Sequence, residues 1–79
     1  MNKGAKMAVQ QLDARGLKCP QPTLKMTVMA MKMKPGEVLE VTADCPTFEQ
    51  DVRNWCLRSK KVMLFIREEG DAKVCQVQF

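Results

Sequence analysis

The sequence predicts a two-layer α/β (α+β) sandwich in the order βαβαββ, with two helices on one face of a four-stranded mixed sheet. Three observations lead there. Two segments with helical spacing each begin at a proline and follow a short strand-like run; Pro35-Gly36 stops the first of them; and two further strand-like runs flank Glu69-Gly70-Asp71. Two helices and four short strands in 79 residues leave a single core, with the helices forming one layer.

Residues 1–8 predict a flexible tail, and residues 9–79 the domain. Val9 to Asp13 reads as a short strand, followed by a loop over Ala14–Lys18 turned by Gly16. Pro20 and Pro22 open the first helix, because proline is tolerated in a first turn whose amides lack helical partners. That helix is expected to run to Lys34. Glu37 to Ala43 is β-branched and reads as the second strand. Asp44 is the expected cap of a second helix with Pro46 at its start. In that helix Phe48, Val52, Trp55 and Cys56 draw one apolar stripe at i, i+4, i+7 and i+8, with an end near Ser59-Lys60. Val62–Glu68 and Ala72–Phe79 complete the sheet as a hairpin. In the last strand Cys75, Val77 and Phe79 form the set expected to be buried. A parallel pairing of the first two strands through a right-handed crossover brings both strand-to-helix loops to one edge. Those loops carry Cys19 and Cys45.

The first helix is apolar on two sides. Met26, Met29, Ala30 and Met33 share an arc of about 100° and form the core face. Leu24, Val28 and Met31 lie opposite, flanked by Lys25 and Lys32. A helix apolar all round is usually buried all round, which two layers cannot achieve. Either some of these residues tuck under a loop, or they form a methionine-bearing patch for a partner.

Charge and cysteine usage narrow the function. The net charge is +4, with seven Lys/Arg against one acid in residues 1–36 and six against eight thereafter. Ala14 to Gly36 holds no carboxylate, so the surroundings of Cys19 are expected to be electropositive. No aromatic residue lies before Phe48, which favours an acidic protein partner over direct nucleic-acid binding. The first residues lack the apolar core of an export signal, and no apolar run reaches the ~18 residues of a membrane span. The expected location is the cytoplasm, where free thiols persist. The four cysteines are spaced by 26, 11 and 19 residues, without a Cys-x-x-Cys knuckle or any histidine. That spacing does not suit structural zinc, which takes paired ligands from tight turns. No metal and no cofactor are expected.

Cys19, directly before a helix, meets the positive end of the helix dipole, which favours thiolate over thiol. Pro20 and Pro22 stiffen the turn and leave the Gln21 and Thr23 amides to face the sulfur. Arg15, Lys18 and Lys25 add positive charge. The bland alternative is a Cys-Pro pair that only caps a helix. Asp13 reads as structural, pinning the loop or pairing with Arg15. Cys56, Cys75 and Trp55 read as core, and Lys60-Lys61 as a solvated helix end.

The run Leu12-Asp13-Ala14-Arg15-Gly16-Leu17-Lys18-Cys19-Pro20-Gln21-Pro22 resembles the signature of the TusA/SirA-like sulfur carriers. Leu24-Lys25, Pro35-Gly36-Glu37, Asp44…Pro46, Asp51-Val52 and Trp55-Cys56 also fall where that family has similar residues, so the resemblance spans roughly residues 9–79. It implies the same βαβαββ sandwich and a persulfide carried on Cys19 as the only bound group. It further implies a sulfurtransferase-type carrier that works with partner enzymes rather than alone. A cysteine desulfurase or rhodanese-like protein would be the donor. A DsrE-like or other acceptor would serve tRNA thiolation, molybdenum-cofactor synthesis or sulfur oxidation. Two departures stand out. Ser59-Lys60-Lys61 replaces the Gly-His pair of many members, and Cys45 occurs in only some branches. If the two loops are neighbours, Cys45 is a possible second thiol that accepts or resolves the persulfide; otherwise it merely neighbours a helix cap. The rival function is a regulatory, RNA-binding or protein-binding module that uses the basic face, with Cys19 incidental.

Overall fold

The computed structural model describes residues 9–18 and 21–79. The expected tail over 1–8, and Cys19 and Pro20, lie outside the described residues. Strand β1 (Val9–Asp13) leads to helix α1 (Gln21–Ala30), strand β2 (Val38–Ala43), helix α2 (Phe48–Ser59) and the hairpin strands β3 (Val62–Glu69) and β4 (Ala72–Gln78). Among the described residues the sheet has the order β1-β2-β4-β3. β1 and β2 are parallel, with Leu12 opposite Val41, and the other two pairings are antiparallel. The expected mixed sheet and element order are both present.

The alternation of the strands decides which residues meet the helices. Leu39, Val41 and Ala43 of β2 and Cys75 and Val77 of β4 are buried on the helix side. They pack with Met26 of α1 and with Phe48, Val52, Trp55 and Cys56 of α2. Met29, Ala30, Met33 and Phe79 close the margins of this core. The two helices are joined by the Trp55 indole, whose Nε1 donates to Thr27 Oγ1 (2.9 Å), while that hydroxyl donates to the Thr23 carbonyl (3.1 Å). On the open sheet face, Gln11 and Gln76 each donate to a different oxygen of Glu40 (3.2 and 3.0 Å). Val38 and Val74 are buried on that same face, although alternation puts them on the outside. They lie on the inner strands β2 and β4, where cross-strand neighbours cover a side chain without a second layer.

Two helix ends differ from expectation. α1 ends at Ala30 rather than Lys34, because the chain tightens into three-residue turns: the Met31, Lys32 and Met33 amides donate to the Val28, Met29 and Ala30 carbonyls. The Lys34 amide then donates to Glu37 Oε1 (2.8 Å), and Gly36 takes φ +92°, open to glycine at low cost. Asp44 does not cap α2. The N-cap position is Thr47, whose hydroxyl donates to Asp51 Oδ2 (3.0 Å) and caps no backbone amide.

At the other end of α2, Lys60 adopts the left-handed conformation (φ 59°, ψ 38°), and the Lys61 amide donates back to the Cys56 carbonyl (3.0 Å). This is the C-terminal geometry that glycine favours. Lys60→Gly is therefore expected to stabilise the domain by about 0.5–1 kcal/mol, read as a higher urea midpoint at unchanged m-value. A lower midpoint would contradict it.

Candidate functional site

The two strand-to-helix loops do meet. The Ala14 amide donates to the Thr42 carbonyl (2.7 Å), which prolongs the β1–β2 ladder by one residue. The Gly16 amide donates to Asp44 Oδ1 (3.0 Å) and ties one loop directly to the other. Asp44 therefore clamps the loops together, a role its sequence context disguises as a helix cap. Beyond the clamp an open cleft of about 470 Å³ is lined by Gly16, Leu17, Lys18, Asp44, Cys45, Pro46 and Thr47. A larger groove of about 630 Å³ runs along α2, where it is lined by the Glu49–Arg53 ion pair and contains no thiol.

The expected surroundings of Cys19 sort into four groups. Arg15 is committed: its guanidinium binds both oxygens of Asp13 (3.0 and 3.1 Å), and its backbone amide donates to the same carboxylate. These hydrogen bonds hold the Asp13 carboxyl below its ordinary range and raise Arg15. Asp13 thus has the expected structural role, and Arg15 brings little net charge to the site. Lys18 and Lys25 are exposed and, among the described residues, make no salt bridge. The positive field is therefore carried by lysines. The Gln21 amide, expected to face the sulfur, donates instead to the Lys18 carbonyl (2.8 Å). That bond holds together the chain on either side of Cys19-Pro20. Pro22 and Thr23 are buried in the first turn of α1.

Leu24, Val28 and Met31 are 59%, 51% and 76% exposed, with Lys25 and Lys32 also exposed beside them. Leu24 and Val28 of α1, with Met31 just beyond its end, thus form an apolar strip left exposed among the described residues. No helix among the described residues is long and apolar enough to cross a membrane.

The remaining thiols divide by environment. Cys56 and Cys75 are free and buried. Burial pushes both thiols up, and with the nearby Cys56 also raising it Cys75 goes from 9.0 to about 12. A raised thiol pKa means that the folded state keeps its proton while the unfolded chain loses it. Stability from Cys75 is therefore whole below pH 9 and drains away as pH rises toward about 12. At neutral pH neither thiol is expected to react with iodoacetamide until the domain unfolds. Rapid native alkylation of Cys75 would contradict its placement. Cys45 differs: it is buried, with Sγ 3.6 Å from Thr47 Oγ1, and it is disulfide-bonded.

The family model described as Sulfurtransferase TusA matches residues 10–77. The chain is also 31% identical over 67 residues to an Aquifex aeolicus protein named "Putative sulfur carrier protein". That alignment covers 85% of this chain and 34% of the relative, so the chain spans about a third of the relative's length. Because the family model covers residues 10–77 of the 79, the chain belongs to the TusA sulfurtransferase family.

Proposed function

We propose that this domain is a sulfur carrier that holds a persulfide on Cys19 and relays it between a donor enzyme and an acceptor protein. The observation that carries the reading is the family match over residues 10–77, which includes the Asp13–Pro22 run. α1 begins at Gln21, two positions after Cys19, so the positive end of its dipole is available to a sulfur anion. Lys18 and Lys25 add uncommitted charge, and these effects together should lower the Cys19 thiol below the ~8.5 of a free cysteine. A persulfide is more acidic than its parent thiol and gains from the same field. The donor is a cysteine desulfurase or a rhodanese-like protein. The acceptor is a DsrE-like or related protein serving tRNA thiolation, molybdenum-cofactor synthesis or sulfur oxidation. The reading puts the carrier in the cytoplasm, where reduced thiols persist.

Transfer of this kind requires partners to dock beside the sulfur. Leu24, Val28 and Met31, with Lys25 and Lys32 at their rim, supply an apolar patch on the helix that starts at the site. Incubation with a cysteine desulfurase and L-cysteine should add the mass of one sulfur atom per chain. Met31→Glu, which puts a carboxylate in the patch, should slow that uptake roughly tenfold or more without moving the unfolding midpoint. An unchanged uptake rate would remove the patch from the docking surface. No uptake from either donor class would remove the carrier reading.

A further inference from the structure

Cys45 stands apart from the other described thiols: it is disulfide-bonded, whereas Cys56 and Cys75 are free. The loop that leads to Cys19 and the loop that holds Cys45 are clamped by the Gly16–Asp44 hydrogen bond, and Lys18 lines one cleft with Cys45. We propose that Cys45 is the resolving thiol of the carrier, and that it discharges the Cys19 persulfide as sulfide when no acceptor collects it.

The step rests on the persulfide reading above and balances without an outside oxidant. The Cys45 thiol gives its proton to solvent, and the thiolate attacks the Cys19 sulfur of the neutral persulfide, whose outer sulfur keeps its proton. A Cys19–Cys45 bond forms as the bond from Cys19 to the outer sulfur breaks. The outer sulfur leaves with the electron pair as hydrosulfide: it is reduced, and Cys45 is oxidised. The Lys18 ammonium favours the attacking anion, since thiolate is the nucleophile in such exchange. The resulting disulfide cannot accept sulfur. A dithiol reductant restores both thiols and forms its own disulfide. The carrier thereby gains an unloaded, locked state, and loading becomes conditional on the supply of reductant.

Two measurements on the full chain separate this proposal from the reading beneath it. In the first, reduced protein is equilibrated with mixtures of reduced and oxidised glutathione, quenched with iodoacetamide and mapped by peptide. Wild type should yield a peptide linking Cys19 to Cys45, whereas Cys45→Ser should carry glutathione on Cys19. A bridge to Cys56 or Cys75, or glutathione adducts alone in wild type, would overturn the pairing. In the second, protein loaded by a desulfurase is freed of donor and followed for sulfide release. Wild type should release its sulfur with formation of the bridge. Cys45→Ser, and Cys45→Ala as a check on folding, should hold it at least about tenfold longer. Equal release rates would overturn the resolving role. Failure of Cys19 to load would bring down the resolving step along with the carrier reading, while the glutathione measurement still judges the pair.

Discussion

Cys19→Ser is expected to abolish sulfur transfer, lowering uptake from a desulfurase by about three orders of magnitude or more. A serine hydroxyl stays protonated near neutral pH and forms no persulfide, so neither helix dipole nor lysine charge rescues it. The same variant should still bind its donor, because the proposed patch of Leu24, Val28 and Met31 is untouched and exposed. That combination distinguishes a carrier from a docking module. A module in which Cys19 is incidental keeps its function after the substitution. Uptake and donor affinity, measured side by side on Cys19→Ser, therefore test the two readings. Retained uptake would favour another thiol as the acceptor, and lost affinity would mean that Cys19 takes part in docking itself.

Phe48→Ala should have the largest effect on stability. Phe48 opens α2 and is fully buried among Val52 and Trp55 of its own helix and the inner face of the sheet. Removing a buried ring costs about 3–5 kcal/mol, through lost transfer energy and the cavity left behind. A domain of this length is expected to have roughly 4–12 kcal/mol in all. The variant should therefore lose a large share of its stability, seen as a much lower urea midpoint by Trp55 fluorescence. Its consequences reach the cleft, since Phe48 shares the core cluster with Cys45 and directly follows the cleft-lining run Asp44–Thr47. A midpoint within error of wild type would contradict the packing described above.

Much of this architecture is written in local pattern. The stripe Phe48, Val52, Trp55 and Cys56 foretells α2 because one face of a helix must be apolar to meet a sheet. The same reasoning gives Met26 as the core residue of α1 and Cys75 and Val77 as the inner face of β4. What local pattern misses is which of several available partners a group takes, near or far in sequence. Asp44 resembles a cap, yet its carboxylate is claimed by Gly16, 28 residues away. Lys34 looks like the last helical residue, but Glu37 captures its amide and the helix tightens before it. Arg15 reads both as site charge and as a partner for Asp13, and two side-chain hydrogen bonds commit it to Asp13. Lys60 gives no warning in its own side chain that the backbone there is left-handed. The meeting of the two loops follows from a parallel β1–β2 pair, which strand order alone suggests.

The most direct test of the carrier reading is the position of the transferred sulfur. Reduced protein is incubated with a cysteine desulfurase and L-cysteine, trapped with iodoacetamide and digested for peptide mass mapping. The account predicts the mass of one added sulfur atom on the peptide containing Cys19, and its absence in Cys19→Ser. The two buried thiols should remain unmodified, since burial holds both in the neutral form. Added sulfur mainly on Cys45, Cys56 or Cys75, with Cys19 unmodified, would contradict it.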